Sequence, residues 1–389
     1  MRRQFTTVVA VLLLLVAGVA PAAAASTNAM GSTTGAAQAD CSYPVTQTDA
    51  TGSEVTVEQA PERVVTLGPS ATQTMWEIGG KSQVVGVTQY ASYLDGADDR
   101  ANVSGEGRTY VSVEEVVAQE PDLVVAANII ANDTVERLRE AGLTVYRAEF
   151  ATSVEDVYDK TERIGELTGN CEGASETVAS MRDRIETVRE AVENADSPRV
   201  LISQGGGWTA GSGTFIGNMV ELAGGVNVAA ETNISGYGQI SEEVVVQQNP
   251  EWIVQIGQFG AYPQTEAYNS TDAVQNDQIL TVTNENVSQP APRVVNAVVA
   301  MAQAFHPDAY AEAAADSTTD DSTTTTAEPT TDETATDITT AAPTETTTTE
   351  AAMQDETTTT DESSGSIPGF GASAAVAALV GAVLLARRR

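Results

Sequence analysis

Histidine, lysine and cysteine are nearly absent from this chain. Among 389 residues there is one His, His306, two Lys, Lys81 and Lys160, and two Cys, Cys41 and Cys171. His306 stands just before Pro307, at the end of the patterned region. That leaves no Ser-His-Asp triad and no histidine-based metal cluster, so no metal site is expected. Lys and Arg total 19 against 54 Asp and Glu, for a formal charge of −35. Such a chain cannot displace counterions from a polyphosphate, which excludes a nucleic-acid partner. Aromatic residues make up only 5%, so any loop that gathers several of them stands out.

The acid excess has two readings. It is the surface of a halophilic protein kept soluble in concentrated salt, or of an ordinary acidic secreted protein. Export is indicated by the start, MRRQFTTVVAVLLLLVAGVAPAAAAS. A basic segment, an apolar segment and small residues before a cut near Ala25 form a secretory signal peptide, residues 1–25. In an exported protein Cys41 and Cys171 are expected to pair and tie down an N-terminal arm, residues 26–60. A lipid-anchoring Cys41 is the rival, but AAQADC lacks the apolar residue of a lipobox.

Residues 316–366 contain 26 Ser or Thr and 13 Asp or Glu, with no Lys, Arg or aromatic residue. This composition buries no core, and a disordered stalk is expected over 312–366. SIPGFGASAAVAALVGAVLLARRR follows. Pro368, Gly369 and Phe370, then a short apolar helix and an Arg cluster, resemble the archaeal PGF-type C-terminal sorting signal, residues 367–389. The resemblance implies a membrane sorting enzyme that replaces the segment with a lipid; otherwise the helix is the anchor. Either way the protein sits on the outer face of the membrane. Five N-x-S/T sequons, at Asn102, Asn132, Asn233, Asn269 and Asn286, are glycosylation candidates on such a surface.

Between these ends the pattern is α/β. Apolar strands VVTL, VVGV, DLVVA and LTVYRAE alternate with helical segments in residues 61–152, and RVLIS, EWIVQI and QILTVT do so in 198–311. Continuous apolar strands between helices predict parallel sheets covered on both faces. Ser70 is expected to cap the helix after VVTL, and Gly79-Gly80 to stop it. Residues 153–197 carry a long helical pattern between the two lobes, with Met181, Ile185, Val188 and Val192 on one face.

One phrase occurs twice. SVEEVVAQEPDLVV at 112–125 returns as SEEVVVQQNPEWIV at 241–254. Each copy reads as a Ser-capped helix, a proline that ends it, and a strand. Glu114 and Glu243 fall in equivalent places in the first helical turn. Acid there is favoured by the helix dipole, which is sufficient reason for them in isolation.

The order of phrases gives them a second reason. PERVVTLGPSATQTMWEIG, VVGVTQYASY, EEVVAQEPDLVV, LREAGLTVY, WTAGSGTFIGNMVELAGGVNV, QISEEVVVQQNPEWIV and APRVVNAVVAMAQAF together resemble the ABC-transporter substrate-binding proteins for cobalamin, haem and ferric siderophores. The resemblance spans most of the patterned region. It implies the class III solute-binding fold, two parallel-sheet lobes joined by one long helix. It also implies an ABC permease dimer with ATPase subunits as partner, and one acid per lobe, here Glu114 and Glu243, docking on permease arginines. The family often has Glu where this chain has Gln73, outside the docking pair. A monomer that binds without catalysis is expected.

In such a fold the ligand lies at the carboxyl ends of the strands. The aromatic loop residues are Tyr90, Tyr93 and Tyr110, with Arg108, in the first lobe, and Trp208, Tyr237, Phe259 and Tyr262 in the second. They are the ligand candidates, each also able to serve local loop packing. Residues 200–292 hold no Lys or Arg and nine acids. An anionic ferric siderophore wants cations from both lobes, and only Arg100, Arg108 and Arg293 are at hand. Cobalamin, nearly neutral, is therefore favoured over siderophore, and haem is disfavoured by the lone His306. The loop Gly205-Gly206-Gly207 precedes its helix by too many residues to be a dinucleotide fingerprint. A carboxylate-only surface enzyme is the remote alternative.

Overall fold

The computed structural model describes residues 41–106 and 111–320, with side chains described to residue 316. The signal peptide, Arg108, Tyr110, the rest of the stalk and the Pro368-Gly369-Phe370 motif lie outside the described residues.

The chain enters through a hairpin, β1 (Val45–Thr48) and β2 (Glu54–Val57). Its turn is organised by Asp49, which is buried and accepts hydrogen bonds from Thr51 and Ser53. Arg139 reaches the same carboxylate at 2.6 Å. Burial pushes this carboxyl up, but the hydrogen bonds from Thr51, Arg147 and Arg139 bring it below its ordinary value.

Five parallel strands follow: β3 (Val64–Leu67), β4 (Val84–Val87), β5 (Ala101–Asn102), β6 (Leu123–Ala126) and β7 (Val145–Arg147). Their order in the sheet is β5-β4-β3-β6-β7. The second lobe has β8 (Arg199–Ser203), β9 (Trp208–Ala210), β10 (Val226–Asn227), β11 (Tyr237–Gln239), β12 (Trp252–Ile256) and β13 (Ile279–Val282). Four of these form a parallel sheet in the order β10-β8-β12-β13, while β9 and β11 pair as an antiparallel ribbon. Both sheets thus place the first strand of the lobe inside the sheet and beside its second, β3 between β4 and β6 and β8 between β10 and β12. In the first sheet β3 and β6 are buried along their whole length, because helices cover both faces.

Helix α1 (Pro69–Glu77) departs from expectation at its start. Ser70 lies inside the helix; Pro69 takes the first helical position and Gly68 is the cap residue, at φ 98°. A side chain on Gly68 would also press on Ala127 Cβ at 2.9 Å. Short helix α2 (Val113–Ala118) and helix α3 (Asn132–Glu140) complete the first lobe.

The bridging segment holds two helices rather than one, α4 (Val154–Thr168) and α5 (Cys171–Val192), which pack on each other. Gly169 in the left-handed conformation breaks the run. Val154, Val157 and Tyr158 of α4 join the core of the second lobe, whereas Ile164 and Leu167 join that of the first. Helix α5 starts with Ala174 in the first core and continues with Val178, Met181, Ile185 and Val188 in the second. Each bridging helix is therefore part of both cores. The disulfide Cys41–Cys171, with Cα atoms 5.5 Å apart, ties the chain entry to the start of α5.

Helix α6 (Phe215–Leu222) is capped by Thr214, and the closing helix Val294–Phe305 is largely buried. A last helix, Pro307–Asp320, runs past residue 312, where the stalk was expected to begin. Ala313 is buried, and Tyr310 packs against the second core. Among the described residues no helix is long and apolar enough to cross a membrane.

Lys160 of α4 is almost fully covered and donates to the Pro290 carbonyl. Burial lowers its pKa to about 8 from the ordinary 10.5, against the upward pull of Asp156 and Glu149. Between those values the unfolded chain keeps a proton that the fold has released. Stability should therefore rise as pH is raised from 8 toward 10.5, by on the order of 3 kcal/mol. Denaturant titrations across that range should show the rise in the wild type and a flatter profile in Lys160→Met.

Candidate functional site

The carboxyl ends of the parallel strands carry the exposed apolar side chains. Seven large hydrophobic residues are exposed among the described residues: Tyr90, Val117, Ile129, Phe150, Tyr237, Val246 and Phe259. Tyr90, Ile129, Phe150 and Phe259 each stand three residues past the end of a strand, β4, β6, β7 and β12 respectively. Tyr237 opens β11, opposite Ala210 on the ribbon. An apolar residue left exposed at the same offset in four loops is one from which folding alone gains nothing. Phe259 is the extreme case, at 82% exposure.

Behind Phe259 lies a cavity of about 530 Å³. Gln204, Gln258, Thr281, Thr283, Asn284 and Ser288 give it amide and hydroxyl groups, and Glu285 is its one charged residue. The Gly-rich loop forms the other side of Phe259. Gly205 has φ +87°, and a Cβ there would sit 2.1 Å from the Phe259 carbonyl oxygen. Glycine at this point is a matter of close backbone approach.

The remaining sequence candidates are placed differently. Tyr262 stacks on buried Tyr268 at 6.0 Å and packs into a buried cluster with Leu201 and Ile253. Trp208 is half-buried on β9. Tyr93 is half-buried and bridges the lobes: its hydroxyl donates to Gln289 Oε1 at 2.7 Å and accepts from Gln73 Nε2 at 2.9 Å. Burial pushes its phenol up to about 12.

Gln73, which sequence reasoning set aside, is the centre of that bridge. It is fully buried on α1. Its Oε1 accepts from the Arg293 backbone N–H at 3.0 Å, and its Nε2 also donates to the Glu285 carbonyl at 3.3 Å. Arg293 adds an ion pair to Glu77 at 2.7 Å. An amide donates and accepts at once, which a carboxylate here cannot do. Arg293 is thus occupied in joining lobes. Arg100 donates to the Lys81 carbonyl, and Arg147 holds the Asn128 and Ile130 carbonyls. No cation among the described residues lines the cavity.

The repeated phrase is a repeated structural unit. Ser112 and Ser241 each accept a bond from the backbone N–H three residues on, at 3.2 and 3.3 Å. Arg63 Nε holds the Gln119 carbonyl at 3.0 Å, and Arg199 Nε holds the Gln248 carbonyl at 2.9 Å. Asp122 accepts from the Arg63 N–H, and Glu251 from the Arg199 N–H. Glu120 and Asn249 both take positive φ, 45° and 40°, before a buried proline. The arginine clamp and its acid are equivalent features the sequence reading missed; each arginine immediately precedes or begins the first strand of its lobe. Glu114 and Glu243 are exposed in the first turns of the two helices, Val113–Ala118 and Glu242–Gln248, and form no ion pair among the described residues.

Residues 64–285 match the Periplasmic binding protein family. The chain belongs to that family. A cobalamin-binding protein of Halobacterium salinarum is 45% identical over 359 residues, covering 90% of this chain and 89% of its own length. Residues 367–389 match the PGF-CTERM motif. Two solved structures share the fold. The periplasmic heme-binding protein RhuT from Roseiflexus has a TM-score of 0.57 and 22% identity, covering 64% of this chain and 99% of its own. The vitamin B12-binding protein BtuF of Vibrio cholerae has a TM-score of 0.55 and 23% identity, covering 63% and 96%.

Replacing Gln73 by Ala should leave the Arg293 N–H and the Tyr93 hydroxyl short of a buried partner. The expected loss of stability is about 1–3 kcal/mol, read from denaturant midpoints. An unchanged midpoint would show that water replaces the amide at no cost.

Proposed function

We propose that the protein is a non-catalytic solute receptor on the outer face of the cell membrane that captures a corrinoid and passes it to an ABC importer. The observations that carry the ligand class are the exposed Tyr90, Ile129, Phe150, Tyr237 and Phe259, and the cavity beside Phe259, which no cation among the described residues lines. A large, nearly neutral ring system is bound by apolar walls and a few amide and hydroxyl groups. An anionic siderophore needs charge-assisted bonds, and Arg100, Arg147 and Arg293 are already engaged by other groups. The Halobacterium relative supports the same ligand. His306 is buried beside Gly224, and haem ligation by it has no support.

The signal peptide and the PGF-CTERM match support export and surface attachment. Asn102, Asn132, Asn233 and Asn269 are exposed and are the better glycan acceptors, whereas Asn286 is half-covered. The two clamped helices would present Glu114 and Glu243 to the two halves of a permease dimer, with ATP hydrolysis left to its ATPase subunits.

Calorimetric titration in molar salt with cyanocobalamin, ferric siderophores and haem tests the ligand. Tight one-to-one binding of cyanocobalamin alone is expected, weakened at least about ten-fold in Phe259→Ala or Phe150→Ala, as befits loss of a well-buried aromatic contact. Binding of a siderophore in its place would overturn the corrinoid reading. Docking has its own measurement. Glu114→Ala combined with Glu243→Ala should abolish ligand uptake by cells while the titration is unchanged; normal uptake would remove the acids from the docking role.

A further inference from the structure

Four of the seven exposed large hydrophobic residues belong to the strand-end loops, and Tyr237 opens β11. The other two, Val117 and Val246, are 40% and 48% exposed and lie elsewhere. Both sit in the repeated unit, four residues before its proline, so they occupy the same position in the two lobes. Each is three residues after the docking acid, Val117 after Glu114 and Val246 after Glu243. That spacing puts acid and valine on one helix face, one turn apart. The valine just before each, Val116 and Val245, is the one that is fully buried. The helices therefore have their core contact already, and the second valine adds nothing to it.

A single exposed valine needs no explanation. Two at equivalent positions, each beside an acid that forms no ion pair among the described residues, on a helix held at both ends, do need one. We propose that Val117 and Val246 form the apolar half of the permease-docking surface, so that each lobe presents an acid and a valine as one unit. This rests on the docking reading of Glu114 and Glu243. The partner is argued from charge and symmetry. Two copies of one patch, acid beside apolar, fit a two-fold symmetric protein that offers a cation beside an apolar pocket twice. The acidic composition gives the valines a particular use. In molar salt the Debye length is about 3 Å, so an exposed acid–cation pair is heavily screened, whereas apolar contact is not weakened by screening.

The test measures affinity for the permease–ATPase complex in lipid nanodiscs, at low salt and in molar salt. Val117→Ser with Val246→Ser should weaken binding about ten-fold or more, as expected for two valines that lose burial, and the loss should persist in molar salt. Glu114→Gln with Glu243→Gln should lose most at low salt. Val117→Leu with Val246→Leu should bind at least half as well as wild type. Thermal melts and the ligand titration should match wild type in all of them, since neither valine touches a core or the loops. If the serine variant binds the permease like wild type while the glutamine variant does not, the inference fails and the docking reading stands. If both bind like wild type, the docking reading fails and the inference with it.

Discussion

The relative placement of the two lobes rests on a small buried polar contact. The Gln73 amide accepts from the Arg293 backbone and donates to the Glu285 carbonyl and to Tyr93. Around it, Arg293 pairs with Glu77, and Lys160 holds the Pro290 carbonyl. Apart from the bond to Tyr93, these contacts all end on the short segment from Glu285 to Arg293, which leads into the closing helix. The bridging helices α4 and α5 add apolar support, since each has side chains in both cores. A hinge built this way resists large lobe rotations, because moving one lobe would strip the buried Gln73 amide of its Arg293 and Glu285 bonds and Lys160 of the Pro290 carbonyl.

That rigidity has two consequences. It fixes the spacing between the helices Val113–Ala118 and Glu242–Gln248, one in each lobe. It also fixes the strand-end loops of one lobe relative to those of the other. Glu285 belongs to both systems: its carbonyl bonds to Gln73, and its residue lines the cavity by Phe259. A ligand in that cavity lies directly against the segment that sets the lobe angle.

Much of this was legible in the sequence, because local chemistry marks the element ends. Ser112, Ser241, Pro121 and Pro250 bound their helices as expected. Failures came where two signals competed. Ser70 looked like a cap, but Pro69 with Gly68 starts the helix one residue earlier. The resemblance implied one bridging helix, yet Gly169 interrupts it. The stalk boundary at 312 followed from composition, but the helix Pro307–Asp320 runs past it and Ala313 is buried. Among the aromatics, composition could not separate Tyr262, which stacks on Tyr268, from Phe259, which is 82% exposed. Ile129 and Phe150 were missed because the search followed aromatic clusters rather than position. The usable signal was the fixed offset of three residues past a strand end. Gln73 was set aside as a departure from the family pattern, when its position on α1 already placed it opposite the closing helix.

Screening by salt orders the remaining interactions by range. With a net charge of −35, long-range attraction to a cationic partner is the first term that concentrated salt removes. What survives is contact-range: buried hydrogen bonds such as those of Gln73, the backbone clamps of Arg63 and Arg199, and apolar burial. The molecule is arranged accordingly. Its acids are spread over the surface, and among the described residues the exposed large apolar side chains stand in the strand-end loops, at the start of β11 and at one repeated position on the helices Val113–Ala118 and Glu242–Gln248. High net charge favours solubility, and apolar burial is the attraction that salt leaves intact.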